Sequence, residues 1–288
     1  MTPLDELARA LGGTGYTRSL LAHGRTGEVL RIDVAGAPPR VAKLDPSGEG
    51  GLEVEAEMLR YIASEANAPV PGVEYGSRHV LLMEWRPGTT GVATAAADDA
   101  AAALAALHAV GGATFGFDRA TRIGGLVQPN PERTSWLEFF AEARLVAPVR
   151  EARDERRIDA SIVGLVEHVA GRVGEFAGEP AAPALLHGDL WSGNVLTEGD
   201  RLTAFLDPAL YRGHPEVDLA FATMFGGFPN RFFDAYRERA SARDDAILDA
   251  GFWSTRRDLW NLYPLLVHVR LFGGSYVDAL VRTARRFA

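Results

Sequence analysis

Apolar positions fall into two regimes along the chain. Between residues 16 and 84 they alternate with polar ones in short runs broken by Gly, Pro and Ser, the period-two pattern of strands. Residues 16–22, 28–34, 40–44, 73–75 and 79–84 read as five strands, with turns at 23–27 and 35–39. Helical spacing interrupts them at 52–63, just after Gly50-Gly51, where Met58, Leu59 and Ile62 mark an apolar face. Residues 1–11 form a short amphipathic helix ahead of the first strand. Past Trp85-Arg86-Pro87-Gly88 the spacing becomes helical, over 98–110 (alanine-rich), 136–146, 158–176, 218–225, 232–240, 244–251 and 259–272. Residues 111–134, rich in Gly, Pro and Asn, read as irregular, and 183–213 as short strands and loops. The expectation is an α+β chain with two lobes. Residues 1–86 form a small antiparallel sheet with one main helix, and residues 87–288 a larger, mainly helical part.

Composition narrows the chemistry. Of 288 residues, 47% are hydrophobic and 24% charged, which suits a globular protein. No apolar run reaches the roughly 18 residues of a membrane span, and Met1-Thr2-Pro3-Leu4-Asp5-Glu6 lacks the basic and apolar start of a secretion signal. A cytoplasmic location is therefore expected, with no membrane partner. The absence of cysteine excludes disulfides, thiolate metal sites and cysteine nucleophiles. A net charge of -8 without a basic stripe points away from nucleic acid. Lys43 is the only lysine among 30 basic residues. A position that stays lysine where arginine serves everywhere else suggests a need for a compact ammonium.

The densest chemistry lies in His187-Gly188-Asp189-Leu190-Trp191-Ser192-Gly193-Asn194. Phosphoryl transfer needs a carboxylate to orient and deprotonate a hydroxyl, and oxygen ligands for magnesium. Asp189 followed five positions later by Asn194 has the spacing of the protein-kinase catalytic loop, with Gly188 in place of the arginine. Two β-like runs around Glu198-Gly199-Asp200 form a hairpin that delivers Asp207, a second metal-ligand candidate beside Asn194. In the first lobe, Lys43 matches the phosphate-gripping lysine. Its carboxylate partner is expected among Glu53, Glu55 and Glu57, with Glu55 best placed. Gly24, Arg25, Thr26 and Gly27 form a glycine-containing turn able to approach phosphates, and Met83, Glu84 and Trp85 stand where adenine would meet backbone groups. The set implies ATP and Mg2+ and a bilobal protein-kinase-like fold.

Ten residues, 208–217, separate Asp207 from Asp218, too few for the activation loop of a protein kinase. The acceptor is therefore expected to be a small molecule. His-Gly-Asp resembles the kinases of antibiotics, choline and sugars. The run Leu186–Asn194 with Trp191-Ser192 resembles the fructosamine (ketosamine) 3-kinases in particular. So do Asp207-Pro208-Ala209, Gly213-His214-Pro215-Glu216-Val217-Asp218, Phe225-Gly226-Gly227-Phe228-Pro229 and Phe272-Gly273-Gly274-Ser275-Tyr276, with Trp136, Phe139, Phe140 and Arg144 fitting the middle. Val267 and Pro264 depart from that pattern. The resemblance implies phosphorylation of the 3-hydroxyl of ketosamines, fructosamine or ribulosamine adducts, in deglycation, with a small-molecule ketoamine or a glycated lysine residue as substrate. A monomer is expected. Asp189 would be the base, and Trp191 and His268 the substrate contacts. Asp218 reads as a brace of the catalytic loop, with His214 and Glu216 in the same brace. His108 reads as a helix-terminal cation. The competing readings are another small-molecule kinase of aminoglycoside or choline type, and a non-catalytic nucleotide-binding module.

Overall fold

The computed structural model describes residues 2–24, 27–240 and 246–288. Helix α1 (Pro3–Ala10) starts where the sequence supplies a reciprocal cap. Asp5 N–H donates to Thr2 Oγ1 at 3.2 Å, and Thr2 N–H donates to Asp5 Oδ2 at 2.9 Å. Strands β1 (Tyr16–His23), β2 (Glu28–Val34) and β3 (Arg40–Leu44) follow, then helix α2 (Leu52–Glu65), then β4 (Val73–Gly76) and β5 (Val80–Glu84). They form one antiparallel sheet in the order β1-β2-β3-β5-β4, in which Lys43 stands opposite Val29 and Leu81. Alternation along β5 splits its side chains between two cores. Val80 and Leu82 pack with Leu7 of α1, whereas Leu81 and Met83 join Leu59 and Ile62 of α2. The carboxylate of Glu6, buried beside the smaller core, accepts from the hydroxyls of Tyr75 at 2.8 Å and Ser77 at 2.5 Å.

After the two-residue strand β6 (Thr89–Thr90) the chain is mainly helical: α3 (Ala97–His108), the hairpin β7 (Thr121–Ile123) and β8 (Leu126–Gln128), α4 (Trp136–Phe139), α5 (Ala147–Asp154), α6 (Ala160–Ala170) and α7 (Val173–Phe176). Strands β9 (Ala184–Leu186), β10 (Val195–Glu198), β11 (Arg201–Phe205) and β12 (Tyr211–Gly213) frame the catalytic-loop sequence. β10 pairs with both β11 and β6, and β9 with β12. Helices α8 (Glu216–Ala222), α9 (Asn230–Ala240), α10 (Arg257–Trp260), α11 (Leu262–Phe272) and α12 (Ser275–Ala284) complete the chain.

The structure corrects several expectations. The region 111–134 is not wholly irregular. Gly124 and Gly125, both at positive φ (54° and 87°), turn a hairpin whose three-residue strands are too short to show alternation. The helix expected at 136–146 continues to Asp154 through a π-helical stretch, Phe140–Val146, where Ala147 N–H donates to Glu142 O. Pro148 gives the reason. A regular α-helix would press its ring on the Arg144 carbonyl, and the wider turn relieves the clash. The pattern at 158–176 breaks after Ala170, and that at 259–272 breaks at Asn261. Pro264 then falls in the first turn of α11, where a missing N–H costs nothing. Helix α8 begins at Glu216 and ends at Ala222, not at 218 and 225, and α12 lies in a stretch to which no element was assigned. Of the helix expected at 244–251, residues 244 and 245 lie outside the described residues. Ala246–Leu248 form a turn, and helical backbone starts at Ala250.

Candidate active site

The loop 187–194 joins β9 to β10 and is pinned from below by a buried carboxylate. Asp218, on α8, accepts from His187 N–H at 2.7 Å and Gly188 N–H at 2.9 Å. Its Oδ2 also meets His108 Nε2 at 3.0 Å, and His108 Nδ1 meets the Tyr236 hydroxyl at 2.7 Å. The brace expected of Asp218 is thus present. His108 ends α3, as expected, but it is buried inside this brace. His214 and Glu216 belong to a different brace. The buried Glu216 accepts from Arg256, from Trp260 Nε1 and from Leu248 N–H, tying α8 to α10. Gly188 has φ +82°, and a Cβ there would lie 2.1 Å from Ala209 O. That contact explains why the loop carries glycine in place of the kinase arginine.

His187 ties the two carboxylate loops together. Its Nε2–H donates to Leu206 O at 2.9 Å, so its Nδ1 is free to accept from Asp189 N–H at 3.3 Å. Burial pushes its pKa down, which agrees with the neutral ring these bonds require. Asn194 Nδ2 donates to Asp189 O and to Asp189 Oδ2, both at 2.9 Å. Leu206 N–H donates to Asn194 O at 2.9 Å. Asp207, next in sequence, adopts a left-handed φ of 50° and turns its carboxylate onto Lys43 Nζ, which also meets Glu55 Oε1 at 2.7 Å. Glu57 pairs with Arg119 at 3.2 Å instead.

Charge follows this geometry. Burial opposes the Lys43 charge, but Asp207 and Glu55 outweigh it and hold its pKa above the usual lysine value. Asp207 is held below the carboxylate range because the adjacent ammonium exceeds the effect of burial. Glu55 rises to about 7 through burial, opposed by Lys43. Asp189 also rises to about 7, through burial first and the Asp207 charge second.

Gly24, Lys43, Glu55, Asp189 and Asp207 line one cavity of about 250 Å3, together with Phe272. The donor set of Asp207 and Asn194 suits a hard cation. It is all oxygen, and Asn194 commits its nitrogen to Asp189 while no hydrogen bond among the described residues engages its Oδ1. Gly27 is required where it stands, since a Cβ would lie 1.6 Å from Leu44 O. Arg25 and Thr26 lie outside the described residues. Met83 and Glu84 end β5, Trp85 follows it, and none of the three lines this cavity.

The family model described as Fructosamine kinase matches residues 45–287. The chain belongs to the fructosamine kinase family. A mouse ketosamine-3-kinase is 30% identical over 270 residues, 90% of this chain and 80% of that protein. A probable ketoamine kinase of Synechocystis is 42% identical over 176 residues, and that match spans 60% of this chain and 56% of the relative. A Thermobifida fusca crystal structure, given provisionally as a fructosamine-3-kinase, superposes with a TM-score of 0.85 at 35% identity over 96% of each chain. An aminoglycoside phosphotransferase bound to ADP and hygromycin B, 19% identical with a TM-score of 0.63, shares the fold. The chain is thus a phosphotransferase of kinase-like fold.

Within this fructosamine kinase fold the two substrate-contact candidates share one aromatic wall. Trp191, 37% exposed, meets Phe225 edge-on at 5.9 Å, and Phe225 meets His268 at 5.2 Å. Phe272 and Tyr276 flank His268 at 5.7 and 4.8 Å. The Trp191 ring lies over Gly193, where a Cβ would come within 2.2 to 2.6 Å of three of its atoms. His268 Nδ1 bonds Pro264 O at 2.7 Å, which makes it the donor and leaves Nε2 as an acceptor. Burial lowers its pKa in agreement.

Thr121 and Gln128, in the stretch that reads as irregular, are site residues without a motif of their own. Gln128 Nε2 donates to Ala209 O at 3.0 Å, Thr121 Oγ1 donates to Leu210 O at 3.0 Å, and Tyr263 donates to Gln128 Oε1 at 2.6 Å. Behind them the buried Arg144 donates to Asn130 Oδ1 and Pro129 O, with its guanidinium 4.0 Å from the Tyr211 ring centre. This polar layer fixes the strand-like segment after Asp207 without any activation loop. The Gly-Gly pair at 124–125 was the signal available for the hairpin that carries Thr121 and Gln128. Among the described residues no cluster of three or more metal-ligating His, Cys, Asp or Glu side chains exists, and no helix is long and apolar enough to cross a membrane.

Proposed function

We propose that this chain transfers the γ-phosphoryl group of ATP to the 3-hydroxyl of ketosamines, the fructosamine or ribulosamine adducts formed by glycation, and so acts in deglycation. The observation that carries the reading is the meeting of Lys43, Glu55, Asp189 and Asp207 in one cavity whose lining includes Phe272 of the Trp191–His268 wall. Family membership supports it. Residues 1–86 hold the nucleotide. Backbone at Met83, Glu84 and Trp85 takes adenine, the turn from Gly24 through Arg25 and Thr26 to Gly27 covers the phosphates, and Lys43, braced by Glu55, grips them. Residues 87–288 hold the acceptor. Asp189 takes the hydroxyl proton as that oxygen bonds to phosphorus and ADP departs. Its raised pKa makes it a stronger base than an exposed carboxylate. Asn194 and Asp207 would hold Mg2+, which neutralises charge on the phosphates. Trp191 stacks on the sugar and attracts the protonated amine, while His268 Nε2 accepts from a sugar hydroxyl.

The reading has the enzyme work as a cytoplasmic monomer on free ketoamines or glycated lysine. Its test compares ribulose-lysine with fructose-lysine by ATP consumption, with phosphorus NMR to locate the new phosphate. Asp189→Ala abolishes turnover while nucleotide binding persists. A phosphate on any other carbon, or robust turnover by Asp189→Ala, would sink the assignment.

A further inference from the structure

The catalytic cavity holds a second cation besides Lys43. Arg122, on β7, lines it together with Asp189 and Phe272. Lys43 is compensated by two carboxylates, whereas Arg122 has no carboxylate partner among the described residues. Its neighbour Arg119 is, by contrast, paired with carboxylates, lying between Asp118 at 2.9 Å and Glu57 at 3.2 Å. Arg122 instead spends one nitrogen on two carbonyls. Its Nη1 donates to Glu49 O at 3.1 Å and to Gly125 O at 2.9 Å, fixing the guanidinium between the loop ahead of α2 and the hairpin turn. Nε and Nη2 make no hydrogen bond among the described residues.

The fold makes room for this placement. Gly51 lies at φ +83°, and a Cβ there would come within 2.8 Å of Arg122 Nε. Gly125 supplies both the tight turn and the carbonyl that anchors Nη1. A guanidinium held by one nitrogen, with the Nε–Nη2 edge uncommitted, presents the two parallel donors that a carboxylate takes bidentately. The three carboxylates of the cavity are not its partners. Glu55 and Asp207 serve Lys43, and Asp189 is held by Asn194. The open edge of Arg122 is therefore available to a group that arrives with a ligand.

We propose that Arg122 is a specificity residue that clamps a carboxylate on the acceptor, so that the preferred ketosamines are adducts of amino acids. This rests on the ketosamine reading. In such an adduct the sugar hydroxyl goes to Asp189, and the α-carboxylate, one carbon from the amine, goes to Arg122 in the lining of the same cavity. An adduct of a protein-bound lysine side chain carries no carboxylate there and forgoes the clamp.

The experiment uses two fructosamines of matched size, one made from glycine and one from ethylamine, and reads the ratio of their kcat/KM values. Wild-type enzyme favours the glycine adduct by about 10- to 100-fold, the range of one charge-assisted bidentate pair. Arg122→Met brings the ratio close to one, and Arg122→Lys leaves an intermediate ratio. Loosening of the Glu49 and Gly125 contacts affects both substrates and cancels in the ratio. A wild-type ratio near one overturns the clamp. So does an Arg122→Met enzyme that keeps the wild-type ratio, or one that loses activity equally on both adducts with a raised KM for ATP, which would assign the guanidinium to the phosphates. Wild-type enzyme that phosphorylates neither adduct, nor the ribulosamines of the same two amines read in the same ratio, overturns the ketosamine reading itself and the clamp with it.

Discussion

Asp218→Asn changes one buried oxygen to an NH2 group and leaves volume and shape intact, so its effect isolates the charge beneath the catalytic loop. Oδ2 of Asp218 faces His187 N–H and His108 Nε2, and Oδ1 faces Gly188 N–H. The asparagine can keep its oxygen at the doubly engaged position, and its NH2 then opposes Gly188 N–H, donor against donor. One charge-assisted bond is lost, worth about 2 kcal/mol, and one buried N–H is left unmet at a further cost of about 2 kcal/mol. The sum, about 4 kcal/mol, corresponds to a fall of about 8 °C in Tm for a chain of this size. The activity loss should be larger than a thermal shift alone explains, because His187 and Gly188 lead directly into Asp189. A displacement of the proposed base by about 1 Å costs on the order of 100-fold in kcat. Calorimetry of wild type and variant, with kcat measured well below both transitions, provides the check. A Tm within about 2 °C of wild type together with an unchanged kcat would refute the brace, since the one oxygen of an isosteric asparagine cannot meet both His187 N–H and Gly188 N–H, which face different oxygens of Asp218.

Three further outcomes follow from the same geometry. Gly193→Ala drives the Trp191 ring off its seat, and the lost aromatic contact of about 1 kcal/mol raises the ketosamine KM about fivefold while the KM for ATP holds; steady-state kinetics on each substrate decides it, and equal shifts in both would contradict it. Because burial and Asp207 lift Asp189 to about 7, the acid limb of kcat/KM lies near neutrality and not near pH 4. The native state then holds this proton over the window from pH 3.8 to about 7 where the unfolded chain has lost it, so the group's stabilising contribution declines as pH rises through that window. Asp189→Asn should accordingly be more stable than wild type at pH 8, with the gap closing toward pH 4, and melting curves showing a constant gap would contradict the raised pKa. Gln128→Leu strips Ala209 O and the Tyr263 hydroxyl of their buried partner and should cost about 2 to 4 kcal/mol by urea unfolding; a loss below about 1 kcal/mol would show that the polar layer is dispensable.

The parts of this protein legible in the sequence are those whose signal is local. Strand alternation from 16 to 84 placed Lys43 on β3, because side chains of a half-buried strand must alternate between faces. Asp189 and Asn194 share one loop, so their spacing puts them within reach of the Asn194–Asp189 hydrogen bond. Glu55 is preferred as the Lys43 partner because it fits the pattern of the resembling family, and helix spacing turns Glu57, two residues on, to another face. Short or interrupted elements were less legible. Strands β7 and β8 are too brief to show a period, and Pro148 sits inside a helix that survives by widening into π geometry. What only the tertiary structure decided is which distant side chains close on backbone carbonyls and on each other. His108 meets Asp218 across 110 positions, Gln128 meets Tyr263 across 135, and Arg122 crosses 73 to reach Glu49 O. Such bonds need no sequence pattern at either end. A carbonyl accepts from whichever donor the packing brings within about 3 Å, and a polar group committed to the interior must find such a partner wherever the fold supplies it.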